Sequence, residues 1–169
     1  LLDTSASMNT CDVKPSRIEK AKYELGRLLN KLEGDRVGLI AFAGSAHLHC
    51  PLTEDYSASR LFLNMMDTDL ITTQGTDLAA AIQLALDHVE NDDEKFKVFV
   101  LVSDGEDHQG EATILAEKAR KLGIIIHTLG VGTAAGGPIP IYDDNGNRVE
   151  FKKNRRGQVG TSNRKAVFY

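Results

Sequence analysis

The sequence predicts an α/β domain, a Rossmann-like, doubly wound and mainly parallel sheet with one antiparallel edge strand and helices on both faces. Three observations predict it. Short apolar runs alternate with stretches of helical period along most of the 169 residues. Most of the runs are nearly continuous in apolar character, as strands covered on both faces require. One segment, 46–50, alternates instead, as a half-exposed strand does.

The elements follow in order. Leu1-Leu2 runs into Asp3-Thr4-Ser5-Ala6-Ser7, a strand end turning into a loop. Ser16-Arg17-Ile18-Glu19 is a capping box behind Pro15. Ile18, Ala21, Leu25, Leu28 and Leu32 continue at helical spacing, and Gly34 is expected to stop that helix. Arg36 to Ala43 reads as a buried strand. Ala46, Leu48 and Cys50 alternate with His47 and His49, which predicts an antiparallel edge strand with both histidines in solvent. Thr53 caps a second helix with Glu54 and Asp55 in its first turn. Tyr56, Phe62, Leu63 and Met66 form its buried side, and Met65 and Met66 are taken to fill the core. Leu78, Ile82, Ala85 and Val89 mark a third helix. Phe96 to Val102 is a buried strand that delivers Ser103 and Asp104 to its carboxyl end. Ala112, Leu115, Ala119 and Leu122 mark a fourth helix, closed by Gly123. Ile124 to Val131 is a further buried strand, with His127 a hydrogen-bonded core residue, whereas His88 is exposed on its helix. Residues 139–142 and 148–151 read as a hairpin about an Asn-Gly turn.

Length and composition set the outer limits. One domain over 1–169 is the natural expectation, and 41% hydrophobic with 26% charged residues is ordinary for a soluble protein. A net charge of -4 gives no global drive toward nucleic acid. No apolar run is long enough to cross a bilayer. The chain lacks an initiator Met and a signal-peptide pattern and opens two residues before Asp3. It therefore reads as a fragment without most of its first strand, any targeting or anchoring segment lying elsewhere. Cys11 and Cys50 form no Cys-x-x-Cys pair and are expected to be separate thiols. Between 148 and 165 seven basic residues face one acid, Glu150. A solvated loop is the expectation there, and contact with an acidic partner or a membrane surface the alternative.

The chemistry lies in three fragments. Asp3, Ser5 and Ser7 can aim a carboxylate and two hydroxyls at one point, a donor set that suits a hard divalent cation such as Mg²⁺. Gly75-Thr76-Asp77 precedes a helix, and Ser103-Asp104-Gly105-Glu106 follows a strand. Ligands of such sheets bind beyond the carboxyl ends of the strands, the edge to which all three fragments belong.

Together the fragments resemble the metal-ion-dependent adhesion site (MIDAS) of the von Willebrand factor A (VWA) family, written Asp-x-Ser-x-Ser, then Thr, then Asp. The resemblance implies Asp3, Ser5, Ser7, Thr76 and Asp104 as metal ligands, with Mg²⁺ or Mn²⁺ favoured over Ca²⁺. It also implies a closing strand and long helix, yet Gln158 to Tyr169 shows no helical period. Residues 34–44, Pro51-Leu52-Thr53, Asp55-Tyr56, Gln74-Gly75-Thr76, residues 104–108 and the Gly136-Gly137-Pro138-Ile139-Pro140 segment further resemble the bacterial Bat (Bacteroides aerotolerance) membrane proteins. That likeness implies a domain on the periplasmic side of a bacterial membrane and a role in aerotolerance or envelope stress. The implied partners are a protein offering Asp or Glu to the metal, and other subunits of a membrane complex.

The expected function is non-enzymatic. Two protein carboxylates leave a dication little net charge, which favours reversible anion capture over activation of water. The rival is a metal-dependent phosphohydrolase at the same site, but no general base or nucleophile is evident and His108 is the sole candidate nearby. Gly-x-Ser-x-Gly is absent. Residues 130–135 fit a glycine fingerprint, yet Pro138 and Pro140 stand where its helix should start, and there is no Walker A sequence. Asp3→Ala is expected to weaken cation binding without disturbing the fold, on the view that its loop is exposed.

Overall fold

The structure, a computed structural model, describes residues 1–89, 96–105, 111–143, 145, 147–154 and 156–163. Strand β1 (Leu2–Asp3) leads into a short 3-10 turn, Ala6–Asn9, and helix α1 (Arg17–Leu29). Then come β2 (Val37–Phe42), β3 (Ala46–Thr53), α2 (Tyr56–Met65), α3 (Leu78–Val89), β4 (Val98–Ser103), α4 (Ala112–Lys121) and β5 (Ile125–Gly130). Four short strands follow: β6 (Gly137–Pro138), β7 (Pro140–Tyr142), β8 (Arg148–Phe151) and β9 (Thr161–Ser162).

Five strands form one sheet in the order β3-β2-β1-β4-β5. All neighbours are parallel except β3, which runs antiparallel to β2 at the edge. β1 is central although short, with Leu2 opposite Ala41 on one side and Val102 on the other. The expected sheet is thus the observed one, and its core has two halves. Leu39 and Ala41 of β2 face Ile18, Ala21 and Leu29 of α1 and Leu63 of α2. Ile40 and Phe42, the alternate residues, face Leu78, Ile82 and Leu86 of α3 and Ala112 and Ala119 of α4. A strand with apolar residues at every position therefore serves both faces.

The helix starts obey their caps. Ser16 accepts from the Glu19 N–H at 3.3 Å, and Asp55, not Thr53, caps α2 by accepting from the Ala58 N–H at 2.9 Å. Thr53 Oγ1 accepts the N–H of Asp55, two residues on, at 3.0 Å. Helix α1 ends at Asn30, short of Gly34, whose φ of 78° serves the connection to β2 instead.

Other expectations are corrected. Met65 is 57% exposed; only Met66 is core. His49 is half-buried, with Nε2 3.1 Å from the Phe62 carbonyl and its ring edge-on to Phe62, because irregular β2–β3 pairing turns it toward α2. Phe96 lies ahead of β4 and is 92% exposed, since pairing with β5 begins at Val98. β5 pairs only with β4 among the described residues, so Ile125 and Leu129 are exposed and His127 is a surface residue. The hairpin forms as β7 against β8, with Pro140 opposite Phe151. β9, not foreseen, pairs with β6. Cys11 and Cys50 are free thiols, Cys50 inside the sheet's core and Cys11 on the loop after β1.

Candidate metal site

The carboxyl ends of β1, β2 and β4 form one rim, and the site is built there. Asp3 ends β1. The chain behind it is pinned by the Thr4 N–H, which donates to the Phe42 carbonyl at 2.7 Å. It then tightens into the 3-10 turn, where the Met8 N–H donates to the Ser5 carbonyl at 3.0 Å. Met8, fully buried, holds the turn down. The outcome is a folded loop in which the Ser5 and Ser7 hydroxyls stand 3.0 Å apart and the Ser5 N–H donates to Asp3 Oδ1 at 2.8 Å.

Thr76 lies on the loop that leads into α3. Gly44, just after β2, lies against the loop that carries Thr76. Its N–H donates to the Thr73 carbonyl at 3.0 Å, and the Asp77 N–H donates to the Ala43 carbonyl at 2.7 Å. A side chain at 44 would collide with the Gln74 carbonyl and lie 2.8 Å from Thr73 Cγ2, so only glycine permits this approach. Asp77 then caps α3 by accepting from the Ala80 N–H at 2.8 Å.

Asp104 follows β4. The residue before it, Ser103, donates from its hydroxyl to Asp3 Oδ2 at 2.6 Å and accepts the Gly105 N–H at 3.1 Å. Asp3 and Asp104 are both fully buried. Burial, and next the charge of Asp104, push the Asp3 carboxyl up to about 7, against the hydrogen bonds from Ser103 and Ser5. Ser5, Ser7 and Thr76 are buried as well. The expectation that Asp3 sits in an exposed loop is therefore corrected. Replacing it by Ala would strand the Ser103 hydroxyl and the Ser5 N–H, and Asn is the substitution that tests its charge.

Beneath this rim lies Arg17, whose place in the sequence marks only a helix start. Arg17 is fully buried, and all five of its guanidinium donors are taken. Nε and Nη2 make a fork to Asp12 at 2.9 and 2.8 Å. Nη1 reaches Asp104 Oδ2 at 2.7 Å and Ser162 Oγ at 2.9 Å, and Nη2 reaches the Ser162 carbonyl at 2.8 Å. Gly132, with a φ of 119°, leaves the room, since a Cβ there would lie 2.7 Å from Arg17 Nε. Gly132 thus admits an arginine, and no helix follows it among the described residues, which removes the dinucleotide reading. Burial pushes the Asp12 carboxyl up, but hydrogen bonds from Arg17 and Thr133 outweigh it and hold the group well below the carboxylate range. A local signal for Arg17 was present: a cation at the first turn of a helix opposes the macrodipole, so it needs another reason to be there. His108, Glu106 and Asp107 lie outside the described residues.

The model of the von Willebrand factor type A domain matches residues 1–106, and the chain belongs to that family. Within it, two solved bacterial structures are similar over nearly the whole chain. One is BatB from Bacteroides thetaiotaomicron, 38% identical, covering 97% of this chain and 78% of that one at a TM-score of 0.90. The other is an aerotolerance-related membrane protein from Bacteroides fragilis, 39% identical, covering 96% and 79% at a TM-score of 0.88. A UPF0353 protein of Mycolicibacterium paratuberculosis is 29% identical over 148 residues, 80% of this chain and 44% of its own. The chain spans less than half the length of that relative. At the level of fold alone, a mussel byssus matrix protein with a zinc-occupied MIDAS motif aligns at a TM-score of 0.66 and 18% identity. Manganese-loaded TRAP of Plasmodium vivax aligns at 0.64 and 19%. No helix among the described residues is long and apolar enough to cross a membrane.

Proposed function

We propose that this domain is a non-enzymatic protein-binding module whose rim holds a divalent cation, Mg²⁺ or Mn²⁺, and uses it to capture a carboxylate from a partner protein. The observation that carries the reading is the pairing of two fully buried carboxylates, Asp3 and Asp104, beside the adjacent Ser5 and Ser7 hydroxyls. Burying two acids together is costly unless a cation joins them. Arg17 meets Asp104 on one oxygen and divides its charge with Asp12; Asp3 has no ion pair among the described residues. An all-oxygen set of two carboxylates and hydroxyls fits a hard cation. Asp3, Ser5, Ser7, Thr76 and Asp104 would hold it, directly or through water, and the bound ion would supply a positive contact for an incoming acidic group. Ser103 keeps Asp3 oriented from beneath, and Arg17 does the same for Asp104. Two proteins of similar fold, one with a zinc-occupied MIDAS motif and one manganese-loaded, support the choice of a dication. The likeness to BatB and to the aerotolerance-related membrane protein supports an extracytoplasmic domain of a bacterial membrane protein, facing the periplasm and working in aerotolerance or envelope stress, with other membrane-complex subunits as candidate partners.

Calorimetry with Mg²⁺ and Mn²⁺ tests the site. Saturable binding is expected, weakened at least tenfold in Asp3→Asn. Unchanged affinity in that variant would remove Asp3 from the site. A phosphohydrolase at the same rim predicts turnover of p-nitrophenyl phosphate with either metal, whereas the binding module predicts none.

A further inference from the structure

The charge of this chain is segregated. Residues 148–165 carry seven basic side chains and one acid, while the rest carries thirteen basic and twenty-three acidic side chains. Charge runs are usually solvated, and a floppy tail would need no further account. The described part of this run is built otherwise. Asp143 closes the hairpin by accepting the N–H groups of Asn145 and Asn147 at 3.0 and 2.8 Å. Asn154 does the same for Arg156 and Gln158 at 2.9 and 3.1 Å. The Arg148 guanidinium lies 4.8 Å from the centre of the Phe151 ring. This frame is fixed to the rim at several points. Lys152 Nζ donates to Gln74 Oε1 at 3.4 Å, two residues from Thr76. Gly137 lies against Thr10 and Asp12, and Ser162 grips Arg17, which itself holds Asp104. Among the described residues Lys153 pairs with Glu150, whereas Arg148, Lys152 and Arg156 are exposed and have no acidic partner.

We infer that Arg148, Lys152 and Arg156, carried by the β7–β8 hairpin and the turn after it, form a basic rim beside the candidate metal site that receives an acidic segment of the partner protein. This rests on the proposed capture of a carboxylate. It adds that the partner presents further Asp or Glu residues next to the one on the metal, so that hairpin and cation are read together. An anionic membrane fits less well, because a flat charged surface meets the acidic remainder of the domain along with the hairpin, whereas a narrow acidic strand can follow the hairpin alone. Exposed Val149 and Ile141 on the same hairpin offer apolar contact beside the charges.

A fluorescent deca-glutamate peptide serves as the probe, with Mg²⁺ present and anisotropy as the readout. The wild-type domain should bind it, more weakly as salt rises. The doubly reversed variant Arg148→Glu with Arg156→Glu should lose at least tenfold in peptide affinity at unaltered Mg²⁺ affinity, while Arg148→Lys should keep both. Circular dichroism checks that the variants fold. Absence of peptide binding by a domain that takes up Mg²⁺, or equal affinity in the reversed variant, overturns the basic rim. Stronger binding to phosphatidylserine vesicles than to the peptide, lost on reversal, overturns it in favour of a membrane surface. Absence of Mg²⁺ uptake, with salt-sensitive peptide binding intact, overturns the metal reading and leaves the rim standing.

Discussion

At the scale of single residues the site is governed by two buried charges with opposite fates. Asp3 titrates near 7, against an ordinary 3.8, so the fold without metal holds that proton more tightly than the unfolded chain does. Its contribution to stability is therefore complete below about pH 4 and is lost as pH rises through 7, a loss on the order of a few kcal/mol. Cation uptake at the proposed site would expel the same proton. Mg²⁺ affinity is then expected to climb up to about pH 7 and level off above it, with close to one proton released per ion at about pH 6. Calorimetry in buffers of different ionisation enthalpy measures this, and proton-neutral binding at about pH 6 would contradict the titration of Asp3. Arg17 has the reverse character: removing it leaves Asp12 and Asp104 with an uncompensated buried charge. Arg17→Met is expected to cost about 3–5 kcal/mol in urea unfolding, and a loss under about 1 kcal/mol would show the clamp to be dispensable. Of these two residues only Asp3 was legible in the sequence. Its Asp-x-Ser-x-Ser spacing is local, whereas the acceptors of Arg17 lie 5, 87 and 145 positions away.

At the scale of elements, what was legible was periodicity. The helical repeats gave α1 to α4, and the alternation at 46–50 gave the antiparallel edge. An apolar run says that a strand is covered on its faces but not which neighbours pair with it. For that reason β5 reads as buried on both faces although it is paired on one side only among the described residues, and Phe96 reads as part of β4. Helix ends escaped for a similar reason, since Asn30 and Gly34 both suit a stop and only the position of β2 decides between them. The contact of Gly44 with the 73–75 loop could not be read either, because it joins two loops far apart in the chain. It yields a prediction at this scale. Gly44→Ala should cost about 1–3 kcal/mol through overpacking and should weaken Mg²⁺ binding by displacing Thr76. Gly26→Ala, in α1 with its nearest neighbour atom 3.9 Å from the new Cβ, should be neutral or stabilising by up to about 1 kcal/mol. Equal effects of the two substitutions on unfolding and on Mg²⁺ calorimetry would show that the close approach at Gly44 has no special role.

For the whole molecule, an ion held by three separate chain segments, as proposed, would link ligand to stability. At a free Mg²⁺ concentration a hundredfold above its Kd, the domain should gain about 2.7 kcal/mol, or roughly 5–10 °C in melting temperature, and chelator should abolish the gain. A melting temperature that ignores both Mg²⁺ and chelator would mean that no ion bridges the rim. The architecture also has a meaning for biosynthesis. Arg17 leaves the ribosome first, and the hydroxyl and carbonyl of Ser162 emerge 145 residues later. Until they do, two of its five donors lack their final acceptors, and the rim above it stays unfinished. Maturation of this domain thus waits on a stretch 145 residues downstream of Arg17, so that a nascent chain cut short before Thr161 would carry every oxygen of the candidate site yet not the brace that sets them.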